Sequence, residues 1–220
     1  MNSTTSIVHV VDDDESYRTA LQRLLKAAGY QTRAYASAGE FLITQRDSAR
    51  GCVVLDLHMP GPNGLELQEA LSIRGEKLPI IFISGYATVP VSVSAMKAGA
   101  VDFLTKPVER EVLLGAIEAA MTRAEEIRST EETSRQYHGL TQREREVLAG
   151  VVEGKMNKTI AAELGIAERT VKAHRANVMQ KLNANSVPEL VQISGRLKNS
   201  VIPSNSSGAQ SEIRPGASPA

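Results

Sequence analysis

Five short apolar runs in the first 120 residues, separated by stretches with helical spacing, restrict the fold of this chain more than any other feature. Ile7–Val11 and residues 52–57 and 78–83 are rich in Val and Ile and too short for helices, so they read as buried strands. Residues 32–35 and 101–105 are weaker strand candidates. Between the first two runs, residues 16–28 place Tyr17, Leu21, Leu24, Leu25 and Ala28 at helical spacing, and Gly29 stops the helix. Strands that alternate with helices imply a doubly wound five-stranded parallel sheet covered on both faces, an α/β fold of flavodoxin type. In such sheets functional groups collect at the carboxyl ends of the strands.

The rest of the chain changes character. Residues 122–139 are rich in Glu, Arg, Ser and Thr, with Arg128–Glu132 and Glu131–Arg135 spaced i,i+4, which suits a solvated helical linker. From Leu140 the pattern is purely helical. Thr141 and Glu144 form a capping box for a helix to about Val152, and Gly154 ends it. Asn157 is placed to cap a second helix, which Gly165 closes. Further helices follow over about 168–182 and 187–197. Beyond Ser200 the Ser, Pro, Gly and Ala content predicts a disordered tail. The expected division is 1–122, an α/β domain; 123–137, a polar helical linker; 138–200, an all-α domain; and 201–220, the tail.

Charge follows this division. Residues 1–120 carry a net −3 and residues 138–200 a net +4, although the whole chain is neutral. A basic part suited to nucleic acid and an acidic part with another task are suggested. The single cysteine, Cys52, excludes an intramolecular disulfide, and its apolar neighbours suit a buried, inert thiol. There is no basic-then-apolar leader, and no apolar run approaches the roughly 20 residues of a membrane helix. A cytoplasmic protein without a membrane partner is expected.

Chemistry concentrates after the strands. Asp12, Asp13 and Asp14 follow the first, Asp56 ends the third, Ser84 ends the fourth and Lys106 follows the fifth. A parallel sheet brings all of these to one edge. Clustered carboxylates repel unless a cation intervenes, and a hard ion such as Mg2+ takes oxygen ligands. A carboxylate there can attack phosphorus and form an aspartyl-phosphate, while a metal, a lysine and a hydroxyl balance the phosphoryl oxygens. Singly, each residue reads as a turn, a cap or a solvated charge; the joint pattern is what carries the chemistry.

The segments VVDDDES, VLDLHMPGPNG, FISGYA and AGAVDFLTKP resemble those of the CheY-like receiver domain of response regulators, over about residues 6–122. The resemblance implies that Asp56 is phosphorylated. Asp13, Asp56 and the backbone carbonyl of His58 would ligate Mg2+ directly, and Asp12 would act largely through a metal-bound water. It also implies that Ser84 is the switching hydroxyl and Lys106 the counter-charge of the phosphoryl group. Phe103 stands where receivers carry an aromatic that turns inward, or is a plain core residue. A cis Lys106–Pro107 bond is implied as well. Asp14 reads as a helix start. His58 and Tyr86 either border the phosphoryl group and tune its lifetime or are solvent-exposed loop residues.

In the helical part, helix, Gly-containing turn and helix between Asn157 and Leu182 form a helix-turn-helix pattern. Val171, His174, Val178 and Leu182 share one face of the second helix, so His174 reads as packed rather than as a base reader. Arg169, Lys172, Arg175, Ala176 and Met179 are left outward, a cationic face suited to a major groove. The stretch LTQREREVLAGVVEGKMNKTIAAELGIAERTVKAHRANVMQKL resembles the LuxR-type four-helix DNA-binding domain over about 138–200. A receiver with this domain resembles the NarL/FixJ transcriptional regulators, on the FixJ side. By that resemblance Arg169, Thr170, Lys172, Arg175 and Lys181 are the DNA-contacting candidates, and the fourth helix serves dimerisation. Implied partners are a sensor histidine kinase, double-stranded DNA, RNA polymerase and, on phosphorylation, a second copy of the chain. Ala167 departs from the Ser common before the recognition helix. Two other readings compete, neither using the basic helical part: a metal-dependent aspartyl-phosphate phosphatase and a phosphorelay module. A phosphatase of that kind usually needs a second acid two residues after its nucleophile, where this chain has His58. The expected product is a regulator rather than an enzyme.

Overall fold

The computed structural model describes residues 6–44, 51–86 and 88–201, with side chains through residue 197. The chain divides between Ser129 and Thr130 into two compact units. In the first, strands β1 (Ile7–Val11), β2 (Gln31–Tyr35), β3 (Gly51–Asp56), β4 (Ile80–Ser84) and β5 (Asp102–Thr105) form one sheet in the order β2-β1-β3-β4-β5. Every neighbouring pair is parallel, as the alternating pattern required. The helices are α1 (Glu15–Ala27), α2 (Ala38–Ile43), α3 (Gly64–Ile73), α4 (Val89–Lys97) and α5 (Arg110–His138).

Strand alternation divides the core in two. Val8, Val10, Val54 and Ile81 pack on Leu21 and Leu25 of α1 and on Leu113 and Ile117 of α5. Val11, Val53, Leu55 and Phe82 pack on Phe41 of α2, Leu67 and Leu71 of α3 and Ala95 of α4. Each large side chain so buried contributes about 1.5–3 kcal/mol of transfer free energy. Cys52 belongs to the first layer, and burial pushes its thiol up to about 12. The neighbour order reverses at β1, leaving a crevice where β1 and β3 end.

Four strand starts, those of β2 to β5, differ by one or two residues from the sequence expectation, and two of them have a visible cause. The third strand begins at Gly51, whose φ is 124°. A Cβ there would lie 1.8 Å from the Ile7 carbonyl oxygen, so only glycine lets β1 and β3 approach. The fourth begins at Ile80, two residues later than expected, because Pro79 has no N–H for the ladder. The polar stretch after residue 122 is the second half of α5, a single helix of 29 residues. Two ion pairs there are spaced i,i+3: Arg123 with Glu126 at 3.2 Å, and Arg128 with Glu125. The Lys106–Pro107 bond is cis.

The second unit contains α6 (Gln142–Val152), α7 (Asn157–Leu164), α8 (Glu168–Lys181) and α9 (Val187–Val201). Its core joins Leu140, Val147, Leu148, Ile160, Val171 and Leu190. Thr141 and Glu144 form the capping box at α6. Asn157 does not cap α7, contrary to expectation. The cap position is Met156, and the Asn157 side-chain oxygen instead accepts from Nη1 of Arg175 at 2.6 Å. A hydrogen bond from a guanidinium is stronger than one from a backbone amide, which explains the diversion. Gly165, at φ 66°, ends α7. Helix α9 runs four residues past the expected Leu197 and includes Val201; the rest of the tail expected over 201–220 lies outside the described residues. Among the described residues no helix is long and apolar enough to cross a membrane.

Ala167 occupies the cap of α8 with extended backbone (φ −72°, ψ 146°) and no side-chain cap bond. Ala167→Ser should therefore stabilise the second unit by about 1 kcal/mol. Denaturant unfolding of the full chain, followed by loss of helical ellipticity, checks this; an unchanged or lower midpoint for the second unit would contradict it.

Candidate functional site

The carboxyl ends of β1 and β3 carry Asp12 and Asp56, both nearly buried at 2% and 7% exposure. Lys106, just past β5, reaches across to both. Its Nζ donates to Oδ2 of Asp12 at 2.8 Å and to Oδ2 of Asp56 at 2.9 Å. Burial raises the Asp12 pKa, and the Lys106 hydrogen bond and charge offset only part of that. Burial also opposes the Lys106 charge, but the two carboxylates outweigh it and hold the ammonium above its usual value. Asp13, next in the chain, is exposed at the mouth. Asp12, Asp13 and Asp56 each offer a carboxylate oxygen, all within 4.8 Å of one another. Three hard anionic donors with one lysine between them suit a hard divalent cation, and the donor set fits Mg2+.

The other expected residues gather around this centre with different roles. Asp14 caps α1, accepting from the amides of Ser16 and Tyr17, and its own amide donates to Oδ1 of Asp12 at 2.9 Å. The hydrogen bond from Ser16 leads the lowering of its pKa. His58 donates its backbone N–H to Oδ1 of Asp56 at 3.2 Å. Ser84 is fully buried, and its hydroxyl bonds to Tyr86 and His58 rather than to Lys106. The Tyr86 side chain is exposed. Phe103 is half-buried and stacks on Phe82, ring centroids 5.9 Å apart. Behind the site, Gly64 opens α3 so closely that a Cβ would sit 2.6 Å from the Asp56 carbonyl oxygen.

Two contributors were not singled out from sequence. The Tyr17 ring lies 4.3 Å from Lys106 Nζ, the third direction of that ammonium. Arg18 Nη1 donates to the Asp12 carbonyl oxygen at 2.6 Å. Helical spacing alone puts Tyr17 on the apolar face of α1, and its place one turn after the cap Asp14 is the signal that marks it as facing the site.

In the second unit the expected DNA-contacting residues divide. Arg169 and Lys172 are exposed on α8, Lys172 lying 3.4 Å from Glu168. Thr170 and Arg175 are half-buried, and Arg175 is tied to Asn157. Lys181 donates to Oε2 of the buried Glu144 at 2.7 Å, a bond that leads the lowering of the Glu144 pKa. His174 is half-buried with its Nδ1 enclosed and unbonded, which fits a packed residue.

Comparison with known proteins matches both units. Residues 8–118 match the response regulator receiver domain, and residues 138–194 match the bacterial regulatory proteins of the luxR family. The response regulator protein TodT of Pseudomonas putida is 43% identical over 205 residues, covering 91% of this chain and 90% of TodT. The transcriptional regulatory protein FixJ of Azorhizobium caulinodans is 44% identical over 190 residues, covering 84% of this chain and 90% of its own. Among solved structures, the response regulator StyR superposes with a TM-score of 0.69 at 44% identity, covering 88% of this chain and all (100%) of StyR. Full-length FixJ from B. japonicum gives a TM-score of 0.55 at 39% identity, covering 89% and 99%.

Removing the lysine should expose the repulsion it masks. The folded pKa of Asp12 already lies above its unfolded value, so its contribution is complete at low pH and is lost as pH rises through the folded pKa. Lys106→Met removes the opposing charge and widens that window. The variant should be less stable than wild type by roughly 3 kcal/mol at neutral pH, the gap closing towards about pH 4. Mg2+ should restore part of the loss. Urea unfolding at a series of pH values tests this, and a pH-independent difference would refute it.

Proposed function

Because the chain belongs to the two-component response regulators that join a receiver domain to a LuxR-type helix-turn-helix domain, we propose that phosphorylation of Asp56 by a sensor histidine kinase controls its dimerisation and sequence-specific DNA binding. The observation that carries this reading is the placement of Asp56 beside Asp12, Asp13 and Lys106 at one sheet edge. In this reading an oxygen of Asp56 attacks the phosphorus of a phosphohistidine, the P–N bond breaks, and the imidazole nitrogen leaves. Asp13, Asp56 and the His58 carbonyl would hold Mg2+, with Asp12 supporting it from the outer shell, and the ion would supply Lewis acidity. Lys106 turns from the carboxylates to a phosphoryl oxygen, Ser84 closes on another, and Phe103 moves inward. The receiver promotes its own modification but turns over no substrate, so the protein is a regulator rather than an enzyme.

Residues 1–122 are the phosphoacceptor part, 123–137 the helical connector and 138–200 the DNA-binding part in this reading. The apolar face for pairing lies on α4. Val89, Val93 and Met96 are exposed there at spacings of four and three, whereas Val91 packs against the core. A receiver dimer would raise the effective concentration of two DNA-binding parts. Arg169, Thr170, Lys172 and Arg175 of α8, with Lys181, would then meet half-sites about 10 base pairs apart or a multiple of that. RNA polymerase is the partner downstream, and the cytoplasm is the compartment in which all of these meet.

Intact mass after treatment with acetyl phosphate and Mg2+ tests the first step: wild type should gain one phosphoryl group and Asp56→Asn none. Equal uptake by both proteins would end the assignment.

Sedimentation and DNA affinity at fixed salt, with and without phosphorylation, test the second step. Phosphorylated protein should dimerise and bind a paired site more tightly. Lys172→Ala should weaken binding on all sequences and flatten the salt dependence, with phosphorylation intact. A phosphorylated monomer that binds the paired site no differently would contradict the dimer mechanism.

A further inference from the structure

The Ser84 hydroxyl is saturated. Its hydrogen is directed at the Tyr86 carbonyl oxygen, 2.8 Å away, and Oγ accepts from the Tyr86 amide at 3.2 Å. Nδ1 of His58 lies 3.2 Å from the same oxygen. With the hydroxyl hydrogen on Tyr86, the assignment that satisfies all three contacts has Nδ1 of His58 as the donor. A serine hydroxyl has one donor and two acceptor positions, and all three are filled. The two bonds to Tyr86 are local backbone contacts. His58 is different: it comes from the loop after β3, and its own backbone N–H holds Oδ1 of Asp56. A single residue therefore touches the switching hydroxyl with its ring and the phosphoacceptor with its backbone.

We propose that His58 is a positioning residue that latches Ser84 in the resting state: its imidazole N–H holds the hydroxyl against the Tyr86 carbonyl, and it must release before Ser84 can turn to a phosphoryl oxygen on Asp56. The proposal rests on the phosphoacceptor reading of Asp56. The His58 residue as a whole is exposed, so the freed ring returns to water and the latch is worth one net hydrogen bond. A latch of that size biases the resting equilibrium without preventing activation. Its removal should favour the activated arrangement by roughly two- to tenfold.

Beryllofluoride, a stable mimic of the phosphoryl group, reads this directly. Its affinity for the full-length chain is measured by calorimetry at saturating Mg2+. His58→Ala should bind it about two- to tenfold more tightly than wild type. His58→Asn, whose amide nitrogen can stand near the position of Nδ1, should remain close to wild type. In a Ser84→Ala background, His58→Ala should have no further effect. An unchanged or weaker affinity in His58→Ala overturns the latch, as does the same tightening when Ser84 is absent. Mg2+ affinity measured without beryllofluoride is the second readout. A change there that matches the beryllofluoride change would place the effect on the metal and also overturn the proposal. A wild-type chain that takes up no beryllofluoride would instead overturn the phosphoacceptor reading beneath it.

Discussion

The bridge from Lys106 to Asp12 and Asp56 is the constraint on which the first unit turns. Its two carboxylates come from segments 94 and 50 residues from the lysine. They meet only because the sheet runs β2-β1-β3-β4-β5 with every strand parallel, so that all carboxyl ends share an edge. Two buried carboxylates without a cation would repel one another and lose hydration, at a cost of several kcal/mol. The lysine offsets part of that cost. The fit is close enough to demand a glycine behind it: Gly64 lets α3 begin against the Asp56 carbonyl, while at the opposite end of the same strands Gly51 lets β1 and β3 touch.

Saturation is the second property of this centre. The ammonium of Lys106 has three directions, taken by Asp12, Asp56 and the Tyr17 ring. The Ser84 hydroxyl has its three positions taken as well. At these two groups a new ligand must exchange bonds rather than fill vacant positions. Exchange of well-made hydrogen bonds involves small net free energies, since each is worth about 0.5–1.5 kcal/mol. Two arrangements of nearly equal energy are what a two-state element needs.

The parallel sheet was legible because β-branched runs too short for helices can only be buried between covering layers. The acidic edge was legible because strand ends are where such a sheet exposes backbone and side chains together. Less legible were features set by contacts distant in sequence. Asn157 looks like a helix cap by its local neighbours, and only the fold reveals Arg175 beside it. Lys181 reads as a surface cation until α6 presents Glu144 to it. Pro79 delays β4 by a purely local rule that the apolar pattern masked. Tyr17 occupies an apolar helix position, yet an aromatic ring has a face that binds cations, and spacing alone does not distinguish core from site.

That distinction sorts the cations of the second unit. Lys181 neutralises a carboxylate that is 3% exposed, so part of its charge is already answered within the unit. Arg175 ties α8 to the start of α7, fixing the angle between the two helices of the helix-turn-helix. Lys172 pairs, among the described residues, with the exposed Glu168 one turn away, an arrangement worth a few tenths of a kcal/mol that salt readily screens. A phosphate competes easily with Glu168 for Lys172 and poorly with Glu144 for Lys181. The recognition helix is therefore graded along its length: weakly held charge near its amino end is free to exchange onto a polyanion, while firmly held charge towards its carboxyl end keeps the helix seated.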